Sequence, residues 1–195
     1  DELEIDGDGT NELPDGDLVS RALHALDRDA RVRLTKRIPA GAGLGGGSAD
    51  AAAVVRWAGL SDLRLAASIG ADVPFCLVGG RARVQGIGDI VEPLAFEERS
   101  FTLLTPTIHV STPAVYARWD ELGGPTDPDG VNDLLPAAAS LHPELLSWRD
   151  RLGDATGATP RLAGSGGTWF VEGAFPDCTP GAVVTRTDRP EGRSA

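Results

Sequence analysis

The chain predicts an α+β fold in two parts, 1–98 and 99–195, and three observations carry that expectation. Apolar residues recur with helical spacing in some segments and alternate with strand spacing in others, without a regular βαβ rhythm. Two glycine clusters, Gly41 to Gly47 and Gly164 to Gly167, each abut a strand or helix signal. The polar run Glu97-Glu98-Arg99-Ser100 sits near the middle and is the candidate boundary.

The elements follow in order. Residues 2–5 read as a strand end, and an acidic, turn-rich loop follows from Asp6 to Asn11. Residues 18–27 read as a helix with Leu18, Ala22 and Leu26 on one face, and Asp17 is its expected N-cap. Residues 31–38 alternate. Val32, Leu34 and Ile38 take one face, and Arg31, Arg33, Thr35 and Arg37 take a solvated one. Pro39 stops this strand. Ser48 is the expected N-cap of an alanine-rich helix running to Ala58, and Ser61 that of a shorter helix ending at Gly70. Pro74 fits the first turn of another short helix. Residues 80–94 read as a hairpin turning near Gly86-Ile87-Gly88. Residues 101–105, 168–172 and 182–187 are strand signals. Residues 113–122 and 134–152 are helical, the second interrupted at His142-Pro143. Gly123 to Gly130 is a loop, and the tail from Asp188 is expected to fray.

Composition excludes several classes. The net charge is −11, but eight acids precede the first base, Arg21, so the rest of the chain carries only −3. That balance argues against broad nucleic-acid binding. No apolar run approaches membrane-span length, and no basic-then-apolar leader opens the chain. Cys76 and Cys178 lack CxxC or Cys/His spacing and read as free thiols of a reducing, cytoplasmic protein. His24, His109 and His142 are scattered, so no zinc site is expected. Trp57, Trp119, Trp148 and Trp169 are read as core.

The loop Pro39-Ala40-Gly41-Ala42-Gly43-Leu44-Gly45-Gly46-Gly47-Ser48-Ala49 carries the chemistry. A linker would lack the abutting strand and helix. A Walker A loop would need Gly-Lys-Ser/Thr after the glycines. Gly41 to Gly46 matches GxGxxG, yet the preceding strand is amphipathic and no acidic strand end follows at the right distance. What remains is a triphosphate loop of another kind. Glycines let the backbone wrap phosphates, and the amides and dipole of the following helix offset the charge. Ser48 is placed to bind a phosphate oxygen or a metal-bound water.

This loop resembles the ATP loop of the GHMP kinases, the superfamily of galactokinase, homoserine kinase, mevalonate kinase and phosphomevalonate kinase. Its Leu44-Gly45-Gly46-Gly47 core is similar to one branch, which phosphorylates a cytidyl diphosphate of methylerythritol in non-mevalonate isoprenoid biosynthesis. Further motifs fall in the branch's order: Gly70-Ala71-Asp72-Val73-Pro74, the Gly79 to Asp89 hairpin, Ser111 to Tyr116, Asn132-Asp133-Leu134, and Leu162 to Gly167. The resemblance implies a GHMP two-domain fold. Its N-terminal part would be like ribosomal protein S5, with a left-handed crossover, and its C-terminal part ferredoxin-like. It implies MgATP-dependent transfer to the substrate's 2-hydroxyl, with ATP held by residues 39–49 and no nucleic-acid or membrane partner. Asp72 becomes the general base by this resemblance, whereas spacing alone is met by helix capping. Gly164, Ser165 and Gly166 would approach phosphate, and Thr112 is a candidate on the substrate side. The Mg2+ ligands stay open.

The branch's Pro-Ala-Lys-Leu-Asn-Leu strand, with its lysine, and its cytidine-holding Arg-x-Asp-Gly-Tyr-His segment have no counterpart in residues 1–195. The chain alone is therefore expected to be unstable or inactive as a kinase. Two alternatives stay open: another GHMP small-molecule kinase, and a catalytically incomplete nucleotide-binding fragment.

Overall fold

The computed structural model describes residues 2–6, 17–126 and 131–189. The acidic loop after Asp6, the middle of the loop from Gly123 and the end of the tail lie outside these residues. The chain divides into two compact units. One comprises residues 1–39, 45–97 and 188–195, and the other residues 40–44 and 98–187.

In the first unit, β1 (Glu2–Asp6) pairs antiparallel with β2 (Arg31–Thr35). The register sets Glu2 opposite Thr35, so the ladder ends there rather than at the expected residue 38. Exposed Arg33 meets Glu4 at 3.2 Å, a solvated pair that contributes little. Helices α1 (Leu18–Ala25), α2 (Gly46–Trp57), α3 (Leu63–Ile69) and α4 (Val73–Val78) complete the unit, with the hairpin β3 (Ala82–Gln85) and β4 (Ile90–Pro93). Its core joins Val19, Ala22 and Leu23 of α1 to Ala51, Val54 and Val55 of α2 and Ile69 of α3. Alanines at 51 and 52 keep side chains short where α2 packs against α1 and α4.

Two expected caps move. Asp62, not Ser61, caps α3: its carboxylate accepts from the amides of Arg64 and Leu65 at 2.8 and 3.2 Å. A carboxylate one residue nearer the first turn reaches both amides, and its charge suits the helix N-terminus. Helix α2 starts at Gly46, with Gly45 and not Ser48 at the N-cap. Gly45 takes a φ of +69°, which turns the chain directly into the helix, and Ser48 falls buried in the first turn. Trp57 is also corrected: in the last turn of α2 it is 41% exposed and not core.

The second unit is a four-stranded antiparallel sheet in the order β6-β7-β5-β8. Its strands are β5 (Ser100–Leu104), β6 (Arg161–Leu162), β7 (Trp169–Glu172) and β8 (Ala182–Arg186). Helices α5 (Thr112–Glu121), α6 (Leu135–Leu141) and α7 (Leu145–Thr156) fall between β5 and β6. This strand order is the ferredoxin-like one, with a loop in place of a helix between β7 and β8. The two-residue β6 has no sequence signal and exists only through its pairing with β7. Leu104, Val115, Leu145, Leu152, Trp169 and Val171 form the core. Thr102 is fully buried yet satisfied, donating to the Gly173 carbonyl and accepting from the Phe175 amide.

Candidate functional site

In the first unit the end of the glycine loop becomes the start of α2. The first helical bond runs from the Ala49 amide to the Gly45 carbonyl at 2.9 Å. The amides of Gly46, Gly47 and Ser48 therefore precede the helical ladder, and no side chain caps them. A twelve-residue helix with an open first turn has the geometry and the dipole that favour an anion. Lys36, ahead of the loop, meets Asp50, in the second turn of α2, at 2.6 Å, with the Asp50 side chain only 7% exposed. The pair thus links the two ends of the loop, and losing Lys36 would strand a buried carboxylate.

Asp72 occupies the N-cap position of α4, with Pro74 in the first turn. Its carboxylate makes no capping hydrogen bond and is exposed, so capping does not account for it. Nearby, burial pushes the Cys76 thiol from its ordinary 9.0 up to about 11. The Asp72 carboxylate adds to the rise, Arg56 opposes it, and Asp50 adds again. Helices α2 and α4 pack against each other, and the Arg56 guanidinium, in the last turn of α2, donates to the Cys76 carbonyl at 2.9 Å.

In the second unit, residues 40–44 interlock with the turn at 163–168. A side chain at Gly43 would lie 2.3 Å from the Ala163 carbonyl oxygen and 2.6 Å from that of Gly166. One at Gly167 would lie 2.5 Å from the Gly41 carbonyl oxygen. The Thr168 amide donates to the Ala42 carbonyl at 3.0 Å. Both strands of this contact therefore require glycine. Thr112, at the start of α5, and buried Ser165 share a hydroxyl–hydroxyl bond of 2.7 Å. Gly164 and Gly166 flank that serine with φ of +53° and +114°.

Sequence reasoning assigned no role to Asn132 or to the Lys36–Asp50 pair. The Asn132 amide donates to the carbonyls of Leu162 and Gly164 at 3.0 and 2.8 Å and fixes the second glycine turn. Its position in the Asn132-Asp133-Leu134 motif was a signal, but its partners lie 30 and 32 residues away. Of the expected site residues, the structure brings Gly41, Ala42 and Gly43 against the turn holding Gly164, Ser165 and Gly166, and Thr112 against Ser165. Pro39, Gly45, Gly46, Gly47, Ser48, Ala49 and Asp72 belong to the first unit, and Ala40 and Leu44 to the second.

Comparison with known proteins identifies the family and the fold. The family described as GHMP kinases N terminal domain matches residues 17–80. The 4-diphosphocytidyl-2-C-methyl-D-erythritol kinase of Paramagnetospirillum magneticum is 35% identical over 86% of this chain and 71% of the relative. That of Ruegeria pomeroyi is 38% identical over 89% of the chain and 72% of the relative. A crystal structure of 4-(cytidine 5'-diphospho)-2C-methyl-D-erythritol kinase superposes with a TM-score of 0.72 at 30% identity, covering 95% of this chain and 84% of the other. Homoserine kinase from Cytophaga hutchinsonii superposes at 0.54 with 18% identity over the same shares, a likeness of fold alone. The α+β GHMP kinase fold therefore stands, and the chain belongs to the 4-diphosphocytidyl-2-C-methyl-D-erythritol kinase family of the GHMP kinases.

Proposed function

We propose that this protein is a cytoplasmic kinase that transfers the γ-phosphoryl group of ATP to the 2-hydroxyl of 4-diphosphocytidyl-2-C-methyl-D-erythritol, in isoprenoid precursor synthesis. The observation that carries the proposal is the open first turn of α2 behind a glycine loop, with the uncommitted carboxylate of Asp72 beginning a neighbouring helix. No helix among the described residues is long and apolar enough to cross a membrane.

Phosphoryl transfer depends on positioning and charge neutralisation more than on covalent catalysis. The amides of Gly46, Gly47 and Ser48 hold triphosphate oxygens, and the dipole of α2 offsets their charge. The glycines at 41 and 43 let this part of the loop lie directly against His109, Val110 and the turn from Ala163 to Gly166. Asp72 orients the substrate hydroxyl and accepts its proton as the oxygen bonds to phosphorus and ADP leaves. Ser165 and Thr112, paired through their hydroxyls, are the candidates for phosphate and substrate contact in the second unit. Among the described residues no three acidic, histidine or cysteine side chains cluster as a metal site. The donors present suit Mg2+ that keeps nucleotide and water oxygens, with the Ser48 hydroxyl as the protein's contribution. When bound, Mg2+ supplies further charge neutralisation on the phosphates.

The test is an ADP-release assay on the product of the complete gene, offered the cytidyl substrate, homoserine, galactose and mevalonate in turn. ADP release with the cytidyl compound alone is the expected result. Turnover of another alcohol in preference moves the protein to a different GHMP substrate class. ATP binding without turnover of any of the four makes it a nucleotide-binding protein.

A further inference from the structure

Asp72 begins α4 but takes no hydrogen bond from it, so the aim of its carboxylate is set by the backbone on either side. The side toward α4 is held by the turn bond from the Val73 amide to the Gly70 carbonyl at 3.0 Å and by buried Pro74. The other side, the peptide of Ala71, meets the turn of the β3–β4 hairpin. Gly88 is buried there with a φ of +98°. A side chain on Gly88 would lie 1.8 Å from the Ala71 carbonyl oxygen and 2.7 Å from its carbonyl carbon. Backbone therefore rests on backbone at the residue next to Asp72, and no side chain fits without moving that peptide. A positive φ alone explains a glycine in a turn. It does not explain why this one is buried while its neighbour Ile87 is 74% exposed.

The turn itself is braced. The Ile87 amide donates to Oδ1 of Asp89 at 3.1 Å, and the Gly88 amide donates to the Gln85 carbonyl at 3.2 Å. The flanking pairs Gln85–Ile90 and Val84–Val91 fix the hairpin's register, and β4 packs against α4. We propose that the turn from Gly86 to Asp89 is a backstop for Asp72, with Gly88 and Asp89 acting as positioning residues for phosphoryl transfer. This rests on the reading of Asp72 as the base.

The experiment measures kcat and the KM for ATP with the cytidyl substrate, using the complete protein. Gly88→Ala is expected to lower kcat by about 10- to 100-fold, because misplacing a reacting group by about 1 Å costs that much. Its KM for ATP should stay within about threefold, since the α2 amides are untouched. Asp89→Ala, which releases the Ile87 amide, should give a smaller loss of the same kind. Asp89→Asn keeps the accepting oxygen and should restore kcat, which a mere loss of hairpin stability by charge removal would not do. Ile87→Ser, on the solvent side, should match the parent. If Gly88→Ala fails to fold, the Asp89 pair decides the matter. Folded Gly88→Ala or Asp89→Ala with parental kcat, in a protein that Asp72→Asn inactivates, overturns the backstop. Equal losses in Asp89→Ala and Asp89→Asn overturn it too. Full activity in Asp72→Asn instead overturns the reading of the base, and the backstop with it.

Discussion

Helices α1 and α2 lie side by side in the first unit and begin in opposite ways. At α1, Asp17 closes the first turn: its Oδ1 accepts from the amides of Val19 and Ser20 at 2.7 and 3.4 Å. At α2, Gly45 occupies the same position and offers nothing. Two other uncapped starts, those of α6 and α7, resolve differently. The first amides of α6 turn back to Asn132, through its side chain and its carbonyl, and those of α7 to the carbonyls of His142, Pro143 and Glu144. A helix that serves only the fold finds partners for its first amides. The α2 start leaves them open, at a stability cost of about 1 kcal/mol, the usual worth of an N-cap, and the proposed function assigns them to ATP.

The contrast can be pressed by substitution. The largest effect is expected at Asp72, a carboxylate at the N-cap of α4 that accepts no capping hydrogen bond. Asp72→Asn should lower kcat by about 10²- to 10⁴-fold, the usual contribution of a general base, with the KM for ATP little changed. Steady-state kinetics reads both, and a parental kcat would remove Asp72 from the chemistry. Next comes Gly47→Asp in the open turn. Position 47 has room for a side chain, with only a Leu18 methyl in ordinary contact at 3.7 Å. A carboxylate there should weaken ATP binding about 10-fold or more while the dipole leaves the helix as stable or slightly more so. Calorimetric titration and thermal unfolding should therefore move in opposite senses. Asp17→Ala is the mirror image: about 1 kcal/mol less stable by chemical denaturation, with unchanged ATP affinity. The smallest effect concerns Cys76 in α4. The folded state holds this thiol's proton more tightly than the unfolded chain does. Its contribution to stability is whole below pH 9.0 and is lost as the pH rises toward about 11. Between those values, stability of the parent should fall more steeply with pH than that of Cys76→Ala.

How much of this the sequence displayed follows from the range of the forces involved. Asp17 was legible because a cap acts on the next two or three residues. The hairpin at 80–94 was legible because alternation and glycines mark it locally. Ser48 misled for a related reason: it is a good cap residue, but three glycines ahead of it allow the helix to begin at Gly46. Ser61 misled because Asp62 beside it caps better. The short β6 and the grip of Asn132 on the second glycine turn depend on partners far along the chain, which no local pattern reveals. The loop at 39–49 was legible as a glycine turn leading straight into a helix. Its interlock with residues 163–168 was not, because a close backbone approach leaves only the glycines themselves as its mark.

The central claim is that the first-turn amides of α2 are kept open for the phosphates of ATP. Amide NMR of the labelled complete protein, titrated with Mg2+ and a non-hydrolysable ATP analogue, tests it most directly. The account predicts saturable shifts at Gly46, Gly47 and Ser48, with Val19, Ser20, Arg64 and Leu65, whose amides are already taken by Asp17 and Asp62, left in place. Saturable nucleotide binding that leaves the amides of Gly46, Gly47 and Ser48 unmoved would contradict it.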